Sequence, residues 1–375
     1  MTNRRSFIKQ IAATGIASSL PVSLFSHPAF FSSPKTVQNK DMIWANLLHL
    51  SYNMWTDHSN VVWDNLPADT YSAVDFEPKT CMDARRWARG YRPFLTFDEK
   101  TWSAILSHMV ESGMNMVVID LGDAIKYKSH PEIAVENAWS TKKLKAELIK
   151  MRKMGLEPIP KLNFATTHLA WMGEYSRMVS TKKFYSVCKN LINEVIDLFD
   201  TPRFFHLGMD EETYNYQRTY NYVTVRQNDL WWHDFYILME EVEKNNVRSW
   251  VWSDYGWRDS DMFFKKMPKS VLQSNWYYGA SLELEKLNET SKSYVKFYNT
   301  LDEYGYDQVP TGSNHSNDTN MELTVEYCKE AIDSSRLKGF MTAPWRPTLA
   351  PCLETHKEAI DQLGRAKDAF LATKI

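Results

Sequence analysis

Short runs of β-branched and aromatic residues alternate along this chain with longer stretches whose apolar positions recur at helical spacing. The first run is Met42 to Tyr52. Thr96-Phe97-Asp98-Glu99 then reads as a capping box, with Trp102, Ile105, Leu106, Met109 and Val110 on one helical face and Gly113 closing it. Met116 to Asp120 is the second strand-like run. A helix from Ser140 to Met154 aligns Leu144, Leu148 and Met151, and the strand Glu157 to Asn163 follows. A helix over 182–199 leads to a fourth strand, Phe204 to Gly208, and one over 229–245 to a fifth, Ser249 to Ser253. The remaining helix-to-strand pairs are 260–266 with Val271 to Trp276, 290–304 with Gln308 to Ser313, and 321–335 with Gly339 to Pro344. A last helix covers 354–371.

Eight strand–helix repeats predict a single-domain α/β fold, a (β/α)8 TIM barrel. A doubly wound open sheet would want a glycine-rich first turn, and none is present. Barrel topology gathers the residues just past each strand's C-terminal end into one site. These are Tyr52 and Asn53, Asp120 and Asp123, Asn163 and His168, His206, Asp210 and Glu211, Trp252 and Asp254, Trp276 to Tyr278, Asn314 and His315, and Trp345 and Arg346. Aromatic side chains around a few carboxylates suit a neutral polyhydroxylated ligand, since an indole face stacks on the apolar face of a sugar ring.

Composition narrows the choice. Of 375 residues, 44 are Lys or Arg and 46 Asp or Glu, a formal charge of −2 that offers little to nucleic acid or an anionic membrane. The four cysteines form no C-x-x-C pair and no zinc spacing, so neither a disulfide scaffold nor a structural zinc is expected, and no cofactor is called for. Core packing can absorb many of the fourteen Trp, and Trp at this density also suits stacking on the apolar faces of sugar rings. At the N-terminus, Arg4-Arg5-Ser6-Phe7-Ile8-Lys9 precedes a modestly apolar segment from Ile11 to Phe25. This looks like a twin-arginine export signal over residues 1–36, cleaved between 26 and 36. Passage through the twin-arginine translocase, a periplasmic location, no membrane anchor after cleavage, and a catalytic domain over 37–375 follow as expectations.

The sharpest element is Phe204-Phe205-His206-Leu207-Gly208-Met209-Asp210-Glu211-Glu212. Glycosidic cleavage needs an acid for the leaving oxygen and a negative group where positive charge develops at the anomeric carbon. Adjacent carboxylates can divide these tasks when one is desolvated and stays protonated while the other is hydrogen-bonded and stays ionised. Glu212 is read instead as an acidic residue of a helix N-terminus.

His206-x-Gly208-x-Asp210-Glu211 resembles the His-x-Gly-Gly-Asp-Glu signature of glycoside hydrolase family 20, the β-N-acetylhexosaminidases. The likeness continues in Lys153 to His168, in Trp252-Ser253-Asp254, in Val271 to Trp276 and in Gly339 to Trp345. The resemblance implies substrate assistance, in which the sugar's own 2-acetamido oxygen attacks the anomeric carbon. It implies Glu211 as general acid and base, Asp210 as the group that orients the acetamide, and Trp252, Trp276 and Trp345 as pocket walls. His206, His168, Asp254, Tyr278 and Asn163 complete the expected substrate-binding set, with no metal.

Several family positions differ. Lys161 and Asn163 stand where Glu and Asp are usual, and Met209 replaces the second glycine. Ser313-Asn314-His315 replaces a Tyr-x-Asp pair, and Trp345-Arg346-Pro347 lacks the acid that follows that Trp. Arg85, Arg86 and Arg89 are the candidates for the family's first-strand arginine. Two other classes fit the same strand ends. One is a divalent-metal sugar isomerase or epimerase using Glu211, Asp254, His206 and His233. The other is a catalytically idle glycan-binding barrel.

Overall fold

Each strand of the computed structural model is buried on both faces, as parallel strands covered by helices must be. The structure describes residues 42–57 and 77–372, so the export-signal reading lies outside the described residues. The barrel strands are β1 (Ile43–His49), β2 (Met116–Asp120), β3 (Glu157–Lys161), β4 (Phe204–His206), β5 (Arg248–Trp252), β6 (Leu272–Ser274), β7 (Thr311–Gly312) and β8 (Gly339–Thr342). They pair in parallel in the order β6-β5-β4-β3-β2-β1-β8-β7. Bridges Gln273 to Gln308 and Trp276 to Thr311 join β6 to β7 and close the ring. The expected (β/α)8 barrel is therefore present.

Strand alternation sorts the core into two parts. Ile43, Ala45 and Leu47 of β1, with Met116, Val118, Ile159, Trp250 and Met341, fill the barrel interior. Trp44, Leu48, Val117, Ile119, Val251 and Phe340 face the surrounding helices. Those helices are α1 (Cys81–Arg89), α2 (Glu99–Glu111), α3 (Thr141–Lys153), α4 (Lys182–Leu198), α5 (Asp229–Glu243), α6 (Ser260–Lys266), α7 (Glu289–Glu303), α8 (Asn320–Ala331) and α9 (Leu353–Ala372).

One local expectation needs correction, and one helix is absent from the sequence pattern. Helix α2 is capped by Asp98, whose Oδ1 accepts from the Thr101 N–H at 2.6 Å, and not by Thr96. Asp three residues ahead of Thr101 competes for the same end of the helix and wins. Helix α1 was not anticipated. Only Ala84, Trp87 and Ala88 of it are buried, a stripe too narrow to stand out in the pattern. Its Thr80 cap accepts from the Asp83 N–H at 3.1 Å.

Candidate active site

The loop that leaves β4 sets the site. Gly208, Met209 and Glu211 all take left-handed backbone angles, with φ of 73°, 73° and 55°. For the two residues with a Cβ this costs about 1–3 kcal/mol each. A Cβ on Gly208 would fall 2.0 Å from Asn163 Oδ1, so both its angle and its surroundings require glycine. Met209 keeps the same backbone turn as Gly208 despite its side chain, which is buried and touches Arg226 Nη2 with its sulfur at 3.6 Å.

The two carboxylates that follow are treated differently. Asp210 is buried, and its Oδ1 accepts from Asn163 Nδ2 at 2.8 Å and lies 3.3 Å from His168 Nδ1. Burial pushes its pKa up, but His168, Lys161 and Asn163 together outweigh this and hold the carboxyl well below the usual carboxylate range. Glu211 keeps 21% of its side chain exposed. Burial raises its pKa above the ordinary glutamate value, with the neighbouring Asp210 charge adding to the rise and His168 opposing it. His168 sits between them, its Nε2 3.7 Å from Glu211 Oε2. Burial works against its protonation, and the charges of Asp210 and Glu211 override that and raise its pKa.

Asp254 accepts the Glu211 backbone N–H on Oδ2 at 2.8 Å, which fixes the Glu211 backbone. Its own carboxyl is pushed up to about 8 by burial and by the charges of Asp210 and Glu211. Lys161 and Asp120 form a fully buried ion pair below this cluster, with His49 3.7 Å from Asp120.

A pocket of about 280 Å³ opens over Asp210 and Glu211. Its walls are Tyr52, Trp55, His168, Tyr216, Trp276, Tyr278 and Trp345, with Arg85, Arg89 and His315 along one stretch. Trp345 Nε1 donates to Tyr278 Oη at 3.0 Å, and Trp276 stacks on Tyr278 with centroids 5.1 Å apart. A wider cleft of about 990 Å³ shares Arg89, Glu211, Tyr216 and Trp276 with the pocket and adds Asp254, Trp257, Arg258 and Tyr294. Glu211 thus stands where pocket and cleft meet.

Of the residues expected to contact substrate, His168, Trp276, Tyr278 and Trp345 line the pocket, and Asp254 lines the cleft. His206, Trp252 and Asn163 do not. His206 is fully buried in the barrel, where its Nδ1 accepts from the Gly208 N–H at 3.0 Å and its ring packs 4.7 Å from Trp252. Burial drives its pKa well below the ordinary value, so it is neutral. Trp252 belongs to the interior layer beneath Trp345, 6.0 Å between centroids. Asn163 positions Asp210 and also accepts from the Ala165 and Met209 N–H groups at 3.0 and 3.3 Å. Glu212 is no helix-terminal acid. It is buried against Arg226, which also reaches Asp234 Oδ2 at 3.3 Å.

Tyr52, Trp55, Arg85, Arg89, Tyr216 and His315 were not singled out as substrate-binding. Tyr52 and His315 are among the strand-end residues of β1 and β7 that the sequence names without a binding role; Trp55 lies in the segment after β1 and Tyr216 on a short 3-10 turn after β4, where no such marker points to them. The metal set Glu211, Asp254, His206 and His233 is not assembled, because His206 is enclosed in the barrel and His233 is exposed on α5. Among the described residues, the donors that could hold a divalent ion are His168, Asp210 and Glu211, whose ligand atoms lie within 4.8 Å of one another.

No family model matches the sequence, and no curated protein matches it either. Solved structures do. Dispersin B is 13% identical, covering 72% of this chain and 95% of its own, with a TM-score of 0.49. A GH20 exo β-N-acetylglucosaminidase from Vibrio harveyi is 14% identical over 75% of this chain and 56% of its own, with a TM-score of 0.49. The N-acetyl-β-hexosaminidase of Streptomyces plicatus is 12% identical over 86% of this chain, with a TM-score of 0.51. This chain covers 64% of that enzyme's length. At that identity the likeness to the Streptomyces plicatus enzyme shows one thing, a shared barrel fold.

Proposed function

We propose that this protein is an exported glycoside hydrolase that cleaves β-linked N-acetylhexosamine, or a related sugar, with substrate assistance and retention of configuration. The observation that carries the reading is the unequal pair Asp210 and Glu211, one held ionised by His168 and Asn163, the other raised toward the protonated state, together at the floor of an aromatic pocket. Protonated Glu211 would give its proton to the glycosidic oxygen as the bond to the anomeric carbon breaks. The sugar's acetamido oxygen would form the new bond to that carbon, giving an oxazolinium ring. Ionised Asp210 would accept the acetamide N–H and balance the positive charge that grows there. Glu211, now a carboxylate, would take a proton from the water that opens the ring. Trp276, Tyr278 and Trp345 supply faces on which the sugar could stack.

The partners of this reading are a carbohydrate substrate and, during export to the periplasm, the twin-arginine translocase recognising residues 1–36. The test is hydrolysis of aryl β-glycosides of N-acetylglucosamine, N-acetylgalactosamine, glucose and galactose. The reading expects turnover of the acetamido sugars alone, strongly impaired in Asp210→Asn. Equal turnover of plain glucosides removes substrate assistance. The proximity of the His168, Asp210 and Glu211 donor atoms favours a second reading, a divalent-metal sugar isomerase. Activity lost to a chelator and restored by a divalent ion would select it.

A further inference from the structure

Arg85 and Arg89 lie one turn apart on α1, so both fall on the same helix face, and both line the deep pocket. Arg85 Nη2 donates to His315 Nε2 at 2.9 Å. That bond uses the imidazole's acceptor nitrogen, leaving His315 Nδ1 as the donor toward Ser316 Oγ at 3.0 Å, so the ring is neutral. Burial and the charges of Arg85, Arg346 and Arg89 agree with this, pushing His315 down to about 4. Arg346 sits behind the same wall with 6% of its surface exposed. Its Nη1 donates to the carbonyls of Pro344 and Trp345, at 3.3 and 3.1 Å, its side chain also meets Cys81, and its buried Nε has no hydrogen-bond partner among the described residues. Among the described residues no carboxylate forms an ion pair with any of the three guanidinium groups. Of the pocket's own acids, Asp210 is held by Asn163 and His168, while Glu211 lies near His168 and feels the charge of Arg89 without forming an ion pair with it.

Three cations brought together at one wall repel each other; the pKa of Arg85 is lowered chiefly by burial, with Tyr52 opposing and Arg346 and Arg89 adding to the fall. A neutral sugar gives such a wall only hydroxyl acceptors. An oxyanion gives it charge-assisted, fork-shaped hydrogen bonds, which planar guanidinium groups match in geometry. We propose that the sugar seated in the deep pocket carries an anionic substituent, a sulfate or a carboxylate, that Arg85 and Arg89 bind. The inference rests on the reading of this pocket as a sugar site and narrows its substrate to an acidic glycan.

The test measures affinity, not turnover. Glu211→Gln protein is titrated with N-acetylglucosamine, N-acetylglucosamine 6-sulfate and N-acetylmuramic acid, following tryptophan fluorescence. The inference expects one acidic sugar to bind roughly 10- to 100-fold more tightly than the neutral one. That advantage should shrink with added salt and collapse severalfold in Arg85→Gln or Arg89→Gln made on the same background. Preference for the 6-sulfate assigns a sulfate, and preference for muramic acid a carboxylate. Equal affinities, no binding of any of the three, or a preference untouched by both arginine substitutions overturns it. Turnover of neutral and 6-sulfated aryl N-acetylglucosaminides by the unsubstituted protein reads out separately. Turnover without anion preference keeps the hydrolase and discards this inference; anion preference in binding without turnover of either glycoside does the reverse.

Discussion

Replacing Asn163 with Ala strips three hydrogen bonds from the base of the candidate site. The amide donates to Asp210 Oδ1 at 2.8 Å and accepts from the Ala165 and Met209 N–H groups at 3.0 and 3.3 Å. The bond to the ionised acid is worth about 1.5–3 kcal/mol, and each buried N–H left without a partner costs about 1–3 kcal/mol. Water entering the space recovers part of this, so the expected net loss is about 3–5 kcal/mol by urea unfolding. The pH dependence separates the charged bond from the rest. Asp210 has a folded pKa below its unfolded value, so its stabilisation is fully present above the unfolded pKa of about 3.9 and is lost as pH falls toward the folded one. Without Asn163 the folded pKa rises and there is less to lose. The gap in stability between the two proteins should therefore be widest above about pH 5 and narrow on acidification. A loss below about 1 kcal/mol, or a gap that stays constant with pH, refutes the role assigned to Asn163.

Three further outcomes are expected. Gly208→Ala places a methyl 2.0 Å from Asn163 Oδ1 at a φ of 73°, so it should cost more than the roughly 1–2 kcal/mol of the backbone angle alone and lower turnover by displacing Asp210's partner; unchanged melting and rate would contradict this. Arg226→Met leaves Glu212 and Asp234 buried without their common cation and should destabilise by about 3–5 kcal/mol, measured by denaturant unfolding, against little change if the pair were solvated. The Cys81 thiol is pulled down to about 6 by a hydrogen bond from Cys352, against the effect of burial, while burial is the main cause that pushes Cys188 and Cys328 up. Iodoacetamide at pH 7 should therefore label Cys81 first, and equal labelling of Cys188 would overturn the assignment.

The eight strand–helix units were readable because parallel strands buried on both faces leave continuous apolar runs, and helices capped by Ser140 and Thr181 announce their own starts. The same reading could place Asp210 and Glu211 at a strand end. It could not separate His206 and Trp252 from true pocket walls, because alternation along a strand tells which residues point inward but not how deep they lie. His206 ends β4 one layer below the pocket, and Trp252 lies beneath Trp345. Arg85 and Arg89 stand out in the sequence only as candidates for the family's arginine, since nothing local says that a short helix with a narrow buried stripe between β1 and β2 folds over the site. The Cys81–Cys352 contact was equally hidden: α1 meets the turn before α9 only in three dimensions, bringing Cys352 Sγ to 3.5 Å from the Cys81 carbonyl.

The central claim is that Glu211 delivers the proton to the leaving group. A series of aryl N-acetyl-β-glucosaminides whose phenols differ widely in acidity, hydrolysed by the unsubstituted protein and by Glu211→Gln, addresses it directly. A phenol acidic enough to depart as phenolate needs no proton, whereas a weakly acidic one does. Glu211→Gln should therefore lose roughly 10²- to 10⁴-fold on the weakly acidic phenols and far less in bond cleavage with the most acidic one. A loss of the same size across the whole series would contradict the assignment of Glu211 as the acid.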